Sequence, residues 1–103
     1  MTWSRFDDAF PQHPKIVGLS DQAFRLHVSA ICYANRNLTD GRVPMDALVV
    51  LLPGRPRPVL KRRAMELVDA GVWTKTSESA YSIHDFLAYN PTREQVLADR
   101  DDL

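Results

Sequence analysis

The sequence predicts a small, mostly helical α+β domain with the architecture of a winged helix-turn-helix: three helices, a small antiparallel β-wing and a short C-terminal helix. Three segments carry apolar residues at helical spacing, and two later runs are rich in β-branched and aromatic residues. Their order is helix, short strand, helix, helix, strand, strand. We expect a domain over residues 1–90, beginning with an arm over 1–19, followed by a C-terminal helix and acidic tail over 91–103.

The first 19 residues predict an arm rather than a long helix, because Pro11, Pro14 and Gly18 interrupt them. Five apolar side chains are expected to hold this arm against the core: Trp3, Phe6, Phe10, Ile16 and Val17.

The first helix is predicted over Asp21–Asn37. Ser20 is a preferred N-cap residue, and Asp21 suits the first turn of a helix. Its apolar face consists of Ala23, Leu26, Ala30, Ile31 and Ala34, broadened by Phe24, Val28 and Tyr33. We expect this helix to be central and mostly buried.

The second helix follows an Asp-Gly turn and a short extended segment that begins at Val43. Pro44 suits the first position of a helix, and Pro53-Gly54 ends it. Its buried face is predicted to contain Met45, Leu48, Val49 and Leu52.

The third helix is predicted over residues 58–70, because Arg57 precedes a proline and is biased toward an extended conformation. Gly71 then gives the glycine that commonly follows a helix end. Its buried stripe consists of Leu60, Ala64, Leu67 and Val68.

Two short strands and a last helix complete the predicted fold. The runs VWTKT and AYSIHDF are typical of strands, and the polar SES between them is a hairpin turn. Thr92 and Gln95 fit a capping box, so we expect a helix from about Arg93 with frayed final residues.

The composition favours a soluble, cytoplasmic protein that is not an enzyme. Cys32 is the single cysteine, so no intramolecular disulfide can form, and the longest apolar run, ALVVLL, is too short to cross a bilayer. No pair among Cys32, His13, His27 and His84 has the spacing of a zinc site. We expect His27 to be a hydrogen-bonded core histidine and Cys32 a small buried hydrophobe. We identify no glycine loop for phosphates and no catalytic triad, so no cofactor or small-molecule substrate is predicted.

The positive charge of this balanced chain is concentrated at the start of the third helix. The chain has 13 basic and 13 acidic side chains, yet residues 55–63 carry five positive charges and no negative one. Because the net charge is zero, the rest of the chain has a formal charge of −5. Cations at a helix start oppose the helix dipole, at about 0.3–1 kcal/mol each. An arrangement that lowers stability without structural gain indicates function, and here it is typical of phosphate binding.

Helical phase separates the roles of these cations. Arg62 points almost opposite the Leu60 stripe, which makes it the best candidate to enter the major groove of DNA and read a base. The other four are expected to anchor phosphates: Arg55, Arg57, Lys61 and Arg63. Two further contacts are expected in and near the wing: Lys75 and Arg42. Alternatively, Arg62 and Arg63 pair with Glu66 at helical spacing and form an ordinary charged helix face.

Four stretches in order carry a resemblance to a known family: HPKIVGLS, AICYANRNLTDGRV, ELVDAGVW and YSIHDFLAYNPTREQV. Together they resemble the N-terminal winged-helix domain of phage and prophage replication-initiation proteins of the replisome-organiser type. The resemblance extends from about His13 to Val96. It implies binding of double-stranded DNA at a replication origin or operator, with the helix over residues 58–70 as recognition helix. Such proteins typically continue further, so the chain is either a domain or a stand-alone repressor or accessory factor.

A protein-interaction module on the same scaffold is the alternative, because a fold alone does not determine function. One version is a homodimer, since Val50 and Leu51 are expected to lie off the buried face of the second helix. Another version is a binder of a replication or transcription protein.

Overall fold

The structure, a computed structural model, describes residues 3–84 and 92–101. The helices are Pro14–Val17 (α1), Asp21–Asn37 (α2), Leu48–Leu51 (α3), Arg57–Asp69 (α4) and Arg93–Asp101 (α5), with 3-10 turns at Phe10–Gln12 and Met45–Ala47. The strands are Arg42–Pro44 (β1), Trp73–Ser77 (β2) and Ala80–Ile83 (β3). The mostly helical α+β class is as predicted, and so is the order of elements from α2 to β3. Within the described ranges, no helix combines the length and the apolar character that crossing a membrane requires.

Helix α2 lies at the centre of the core and begins where the sequence predicts. Ser20 Oγ accepts a hydrogen bond from the Ala23 amide at 3.2 Å, which confirms the N-cap. The predicted apolar face is buried: Ala23, Leu26, Ala30, Ile31 and Ala34. His27 lies on this face, only 4% exposed, and its Nδ1 accepts a hydrogen bond from Trp73 Nε1 at 3.0 Å. The prediction of a hydrogen-bonded core histidine is therefore confirmed.

The strands form one antiparallel sheet in the order β1-β3-β2. Val43, Trp73 and Tyr81 belong to its buried face, and the rings of Trp73 and Tyr81 lie 5.6 Å apart. The hairpin between β2 and β3 contains a register shift between Lys75 and Ser77. Both predicted strands are thus present and pair with each other, and the central strand β3 also pairs with the short β1.

The N-terminal arm is held by fewer side chains than the sequence predicts. Ile16 is buried, and the Phe10 ring lies 5.9 Å from that of Phe24 and 5.8 Å from that of His27. The other three apolar residues are exposed: Trp3 at 77%, Phe6 at 40% and Val17 at 68%. The prediction is wrong for these three. In α1, consecutive residues differ by about 100° in direction, so an inward Ile16 turns Val17 toward solvent.

Pro44 does not begin the second helix as predicted. It ends β1, where it pairs with Ala80, and the amide of Met45 extends this pairing by donating to the Ser79 carbonyl at 2.8 Å. Sheet pairing with the hairpin therefore keeps the chain extended for longer than the local preference of proline indicates.

The predicted second helix, observed as the 3-10 turn Met45–Ala47 and α3, buries a different face from the one predicted. It starts with the 3-10 turn Met45–Ala47, in which three residues per turn align Met45 with Leu48, and Leu51 lies about one turn further along α3. Leu51 is consequently buried, at 5% exposed, whereas Val49 is 60% exposed. Both results contradict the predicted stripe, while the exposure of Val50, at 70%, agrees with it.

Helix α4 begins at Arg57, one residue before the predicted start. Pro56 is the N-cap, and its carbonyl accepts the amide of Leu60 at 3.2 Å. A proline in the first turn lacks only an N–H that has no partner within the helix, so Pro58 is compatible with this start. Gly71 follows the helix with φ at +77°, as expected for a glycine after a helix end.

The start of α5 confirms the predicted capping box. The Thr92 amide donates to Gln95 Oε1 at 2.8 Å, and the Gln95 amide donates to Thr92 Oγ1 at 3.0 Å. Asp40 Oδ1 also accepts the Arg93 amide at 2.6 Å, which connects α5 to the Asp-Gly turn. The end of the second predicted strand and the frayed terminus fall in 85–91 and 102–103, outside the described residues.

Cys32 is exposed, so its prediction as a buried hydrophobe is wrong. It follows the buried Ile31 on α2, and the turn of about 100° per residue moves it off the buried face. Ser4 of the arm donates a long hydrogen bond to its Sγ at 3.8 Å.

Candidate nucleic-acid interface

Helix α4 has one buried face and one basic face. Leu60, Ala64 and Leu67 are at most 2% exposed, and the helix packs against α2 and β2. Lys61 and Arg62 are exposed on the sides that this stripe leaves uncovered. The predicted orientation of Arg62 away from the core is therefore the observed one.

Glu66, the acid closest in sequence to the cations, is turned toward α2 rather than toward solvent. Its Oε2 accepts the Ser20 amide at 2.7 Å, and its Oε1 accepts the Ser20 hydroxyl at 2.8 Å. Ser20 caps α2, so Glu66 joins the middle of α4 to the start of α2. The Glu66 carboxylate thus connects α4 to α2 through two hydrogen bonds.

Arg63 completes this cluster from its own helix. Its Nη1 lies 2.8 Å from Glu66 Oε1 and donates to Ser20 Oγ at 3.2 Å, while its Nε is buried without a hydrogen-bond partner. Arg63 is thus occupied inside the domain and does not join the exposed cations as predicted. The alternative prediction of an Arg63–Glu66 pair is confirmed. Arg63 thereby engages the carboxylate with which Arg62 could otherwise pair at i,i+4 spacing.

The electrostatics of Glu66 follow from these contacts. Partial burial raises the pKa of its carboxyl, but the hydrogen bonds from Ser20 and the charge of Arg63 outweigh burial and lower the pKa overall. The carboxylate therefore stays ionised at neutral pH and remains bound to Ser20 and Arg63.

The turn before α4 and its first residues present the remaining cations. Arg55 is exposed and donates to the Pro53 carbonyl at 3.4 Å, which keeps it beside the turn. Arg57 and Lys61 are exposed and line a small cleft of about 50 Å³ together with Asp46. The sequence did not reveal Asp46 as an acidic neighbour of these cations. The 3-10 turn that contains Asp46 comes next to the start of α4 only in the folded chain.

The two predicted contacts near the wing lie on opposite faces of the sheet. Lys75 pairs with Tyr81 in the same register row as Val43, on the face that packs against the helices. Arg42 pairs with Ser82 in the adjacent row, which points the other way. Lys75 thus shares a side of the sheet with α4, and Arg42 does not.

The structure brings four predicted residues together at the start of α4 and its preceding turn: Arg55, Arg57, Lys61 and Arg62. It places Arg63 partly buried against the start of α2, Lys75 on the helix side of the sheet and Arg42 on the far side. The sequence showed Ser20 as a cap, but no local signal could identify Glu66 as its partner 46 residues away.

Replacing Glu66 by alanine is expected to lower the free energy of unfolding by about 1–2 kcal/mol, because the two hydrogen bonds from Ser20 and the ion pair with Arg63 are lost from a partly exposed site. Glu66→Gln keeps an acceptor for Ser20 and should lose less. Urea denaturation measures both values, with the exposed Glu94→Ala of α5 as control. Equal stability of all three variants and the wild type would show that the cluster does not hold the helices together.

Comparison of the chain with protein-family models, curated proteins and solved structures gives no match in any of the three.

Proposed function

We propose that this chain is a winged helix-turn-helix protein that binds double-stranded DNA through α4. In this proposal α4 enters the major groove with its N-terminal half, Arg62 faces the base edges, and Arg55, Arg57 and Lys61 contact phosphates. Lys75, on the same side of the sheet as α4, is positioned for a wing contact. Arg42, on the far face, is the weakest of the proposed contacts.

The observation that carries the proposal is the division of charge on α4. Its exposed N-terminal part keeps Arg57, Lys61 and Arg62, while Glu66 is engaged by Ser20 and Arg63. The acid that stays exposed on the helix, Asp69, is seven residues after Arg62, or about 10 Å along the axis. A phosphate approaching the start of α4 therefore meets cations and the positive end of the helix dipole together.

An apolar side chain on the same face supports contact with base edges. Met65, one turn after Arg62, is 37% exposed. Apolar side chains in the major groove contact the methyl group of thymine, and arginine pairs with guanine through two hydrogen bonds. Arg62 and Met65 are therefore suited to neighbouring positions of a recognition site.

The resemblance to phage and prophage replication-initiation domains suggests which DNA site the chain binds and in which process. It suggests a replication origin or an operator as the DNA site, and a role in replication initiation or transcription regulation. The cytoplasmic location predicted from the composition belongs to the same proposal. The sheet order β1-β3-β2 after a helical segment is compatible with a winged helix.

Fluorescence anisotropy with a labelled duplex over a salt series tests the proposal. Arg55, Arg57 and Lys61 on phosphates, with Lys75 of the wing as a fourth contact, give a log–log slope of about −3 to −4, since each neutralised phosphate contributes about −0.9. Absence of binding at low salt, or a flat salt response, would exclude the proposal.

Single substitutions separate base reading from phosphate anchoring. Arg62→Ala is expected to reduce the preference for a selected site over random duplex by about 1–3 kcal/mol, because it removes a base contact. Lys61→Ala should weaken all duplexes alike and reduce the salt slope by about one. Competition anisotropy measures both; equal behaviour of the two variants would contradict the assigned roles.

A protein-interaction module is the second candidate, and the exposed valines of α3 favour it. Val49 and Val50 are 60% and 70% exposed, and Val49 borders the cleft with Arg57 and Lys61. The predicted homodimer contact through Leu51 is excluded, because that side chain is buried. Sedimentation equilibrium of Val50→Asp against wild type tests the remaining homodimer version, which predicts that the wild type alone self-associates.

A further inference from the structure

A cavity of about 500 Å³ lies between the N-terminal arm and the end of α4, remote from the basic start of that helix. Its apolar part is formed by Phe10, Ile16, Ile31 and Val72. Sites for small ligands are typically clefts or cavities of about 300–1,000 Å³. The cavity is therefore of a size that suits a small molecule.

Two of the three histidines that line the cavity, His13 and His27, accept a hydrogen bond at Nδ1. His13 Nδ1 accepts the Lys15 amide at 3.2 Å, and His27 Nδ1 accepts Trp73 Nε1 at 3.0 Å. Because each Nδ1 is an acceptor, the neutral ring carries its proton on Nε2. Both rings line the cavity and have an Nε2–H as their remaining hydrogen-bonding group.

Lys15 adds a positive charge to the same wall. Its Nζ lies 3.5 Å from the position that a Cβ on Gly71 would take, so the ammonium group lies over the end of α4 at the cavity. Among the described lining residues, Lys15 and Arg5 are cations and Asp7 is the one carboxylate. Asp7 Oδ1 accepts the Ala9 amide at 2.7 Å. The charged lining residues thus give the cavity a net positive charge.

We propose that this cavity binds a small amphipathic anion, a negatively charged head group joined to an aromatic or aliphatic body. The head group accepts hydrogen bonds from His13 and His27 and pairs with Lys15, while the body packs on the apolar part of the cavity. A metal ion fits less well, because the described residues contain no group of three His, Cys, Asp or Glu side chains that could hold one. The proposal is independent of DNA binding.

The state of His27 agrees with this role. Burial lowers the pKa of His27 to about 4, so the ring is neutral at physiological pH and donates through Nε2 without a charge of its own. The fixed positive charge for the anion therefore comes from Lys15.

Fluorescence titration with 8-anilinonaphthalene-1-sulfonate, an aromatic anion, tests the proposal on the free chain. N-phenyl-1-naphthylamine has the same rings without the charge and serves as the neutral probe. We expect one anion per chain, bound about tenfold more tightly than the neutral probe. Lys15→Met should reduce affinity for the anion about five- to tenfold, because it removes a charged hydrogen-bond donor while keeping the apolar stem. It should leave the affinity for the neutral probe unchanged.

Arg36→Met is the matched control, because Arg36 is exposed on α2 and is not among the residues that line the cavity. It should bind both probes as the wild type does. Three results would overturn the proposal: no binding of the anion, equal affinity for the two probes, or an equal loss in the Lys15 and Arg36 variants. Ile31→Trp fills the cavity and provides a second check, since anion binding that survives in a folded Ile31→Trp protein is located elsewhere.

Discussion

Replacement of Arg57, Lys61 and Arg62 by glutamine is expected to weaken duplex binding at least 100-fold at low salt. Each charged contact contributes on the order of 1–2 kcal/mol, and three are removed together: two to phosphates, from Arg57 and Lys61, and one to a base, from Arg62. The salt slope should fall from about −3 to −4 toward about −2, because the two lost phosphate contacts no longer release counterions on binding. Anisotropy with the labelled duplex measures both quantities.

The same triple variant is expected to be at least as stable as the wild type. The three cations are exposed at the N-terminal half of α4, where positive charge opposes the helix dipole. Their removal therefore relieves an unfavourable interaction. A loss of duplex binding together with unchanged or raised stability would separate function from folding in one protein.

A matched control removes the same amount of charge elsewhere. Arg25, Arg36 and Arg100 are exposed on α2 and α5, and their replacement by glutamine should change duplex affinity far less. If both triple variants lose affinity equally, binding depends on net charge alone and α4 has no special role. If the α4 variant unfolds, its cations are structural.

Acidification from pH 7 to pH 4 is expected to lower the free energy of unfolding by about 3 kcal/mol through His27 alone. Burial lowers the pKa of His27 from 6.5 in the unfolded chain to about 4 in the fold. Above pH 6.5 the ring is neutral in both states, so the stabilisation is fully present. As the pH falls through 6.5 the unfolded state binds a proton first, and stability is lost progressively until about pH 4.

Urea denaturation at intervals between pH 7 and pH 4 measures this dependence. His27→Gln keeps an acceptor for Trp73 but cannot titrate, so its stability should change much less over the same interval. The Glu66 carboxylate, whose pKa is lowered, contributes stability that is fully present above the usual pKa range of glutamate and is lost only as the pH falls below it. The loss of stability between pH 7 and about pH 5 is therefore separable from Glu66. A wild type and a His27→Gln variant with the same pH dependence would show that the ring is not buried as a neutral group.

The parts of the fold that were predictable are those controlled by local chemistry. Ser20 begins α2, Gly71 follows α4, and Thr92 with Gln95 forms the capping box of α5, since each acts on backbone groups within a few residues. The errors lie where distant contacts override local preference. Pro44 favours a helix start on its own, but pairing of its segment with β3 keeps it extended.

The candidate site was predictable to the same degree. Helical phase placed Arg62 correctly, because the buried stripe of α4 is regular. Helical phase could not predict the position of the Arg63 side chain. Arg63 flanks the buried stripe, and it contacts Ser20 only because α4 packs on α2. The cavity had no sequence signal, since His13, His27 and Lys15 meet only in the fold.

NMR chemical-shift mapping of the isotope-labelled chain during titration with a duplex tests most directly the central claim, that the chain binds DNA through α4. Binding through α4 predicts that amide signals from residues 55–65 and near Lys75 change most, while those of the C-terminal helix 93–101 change little. The amides around Val49 and Val50 report on the competing interaction surface of α3. Changes centred on that surface or on the sheet face with Arg42, with residues 55–65 unaffected, would contradict DNA binding through α4.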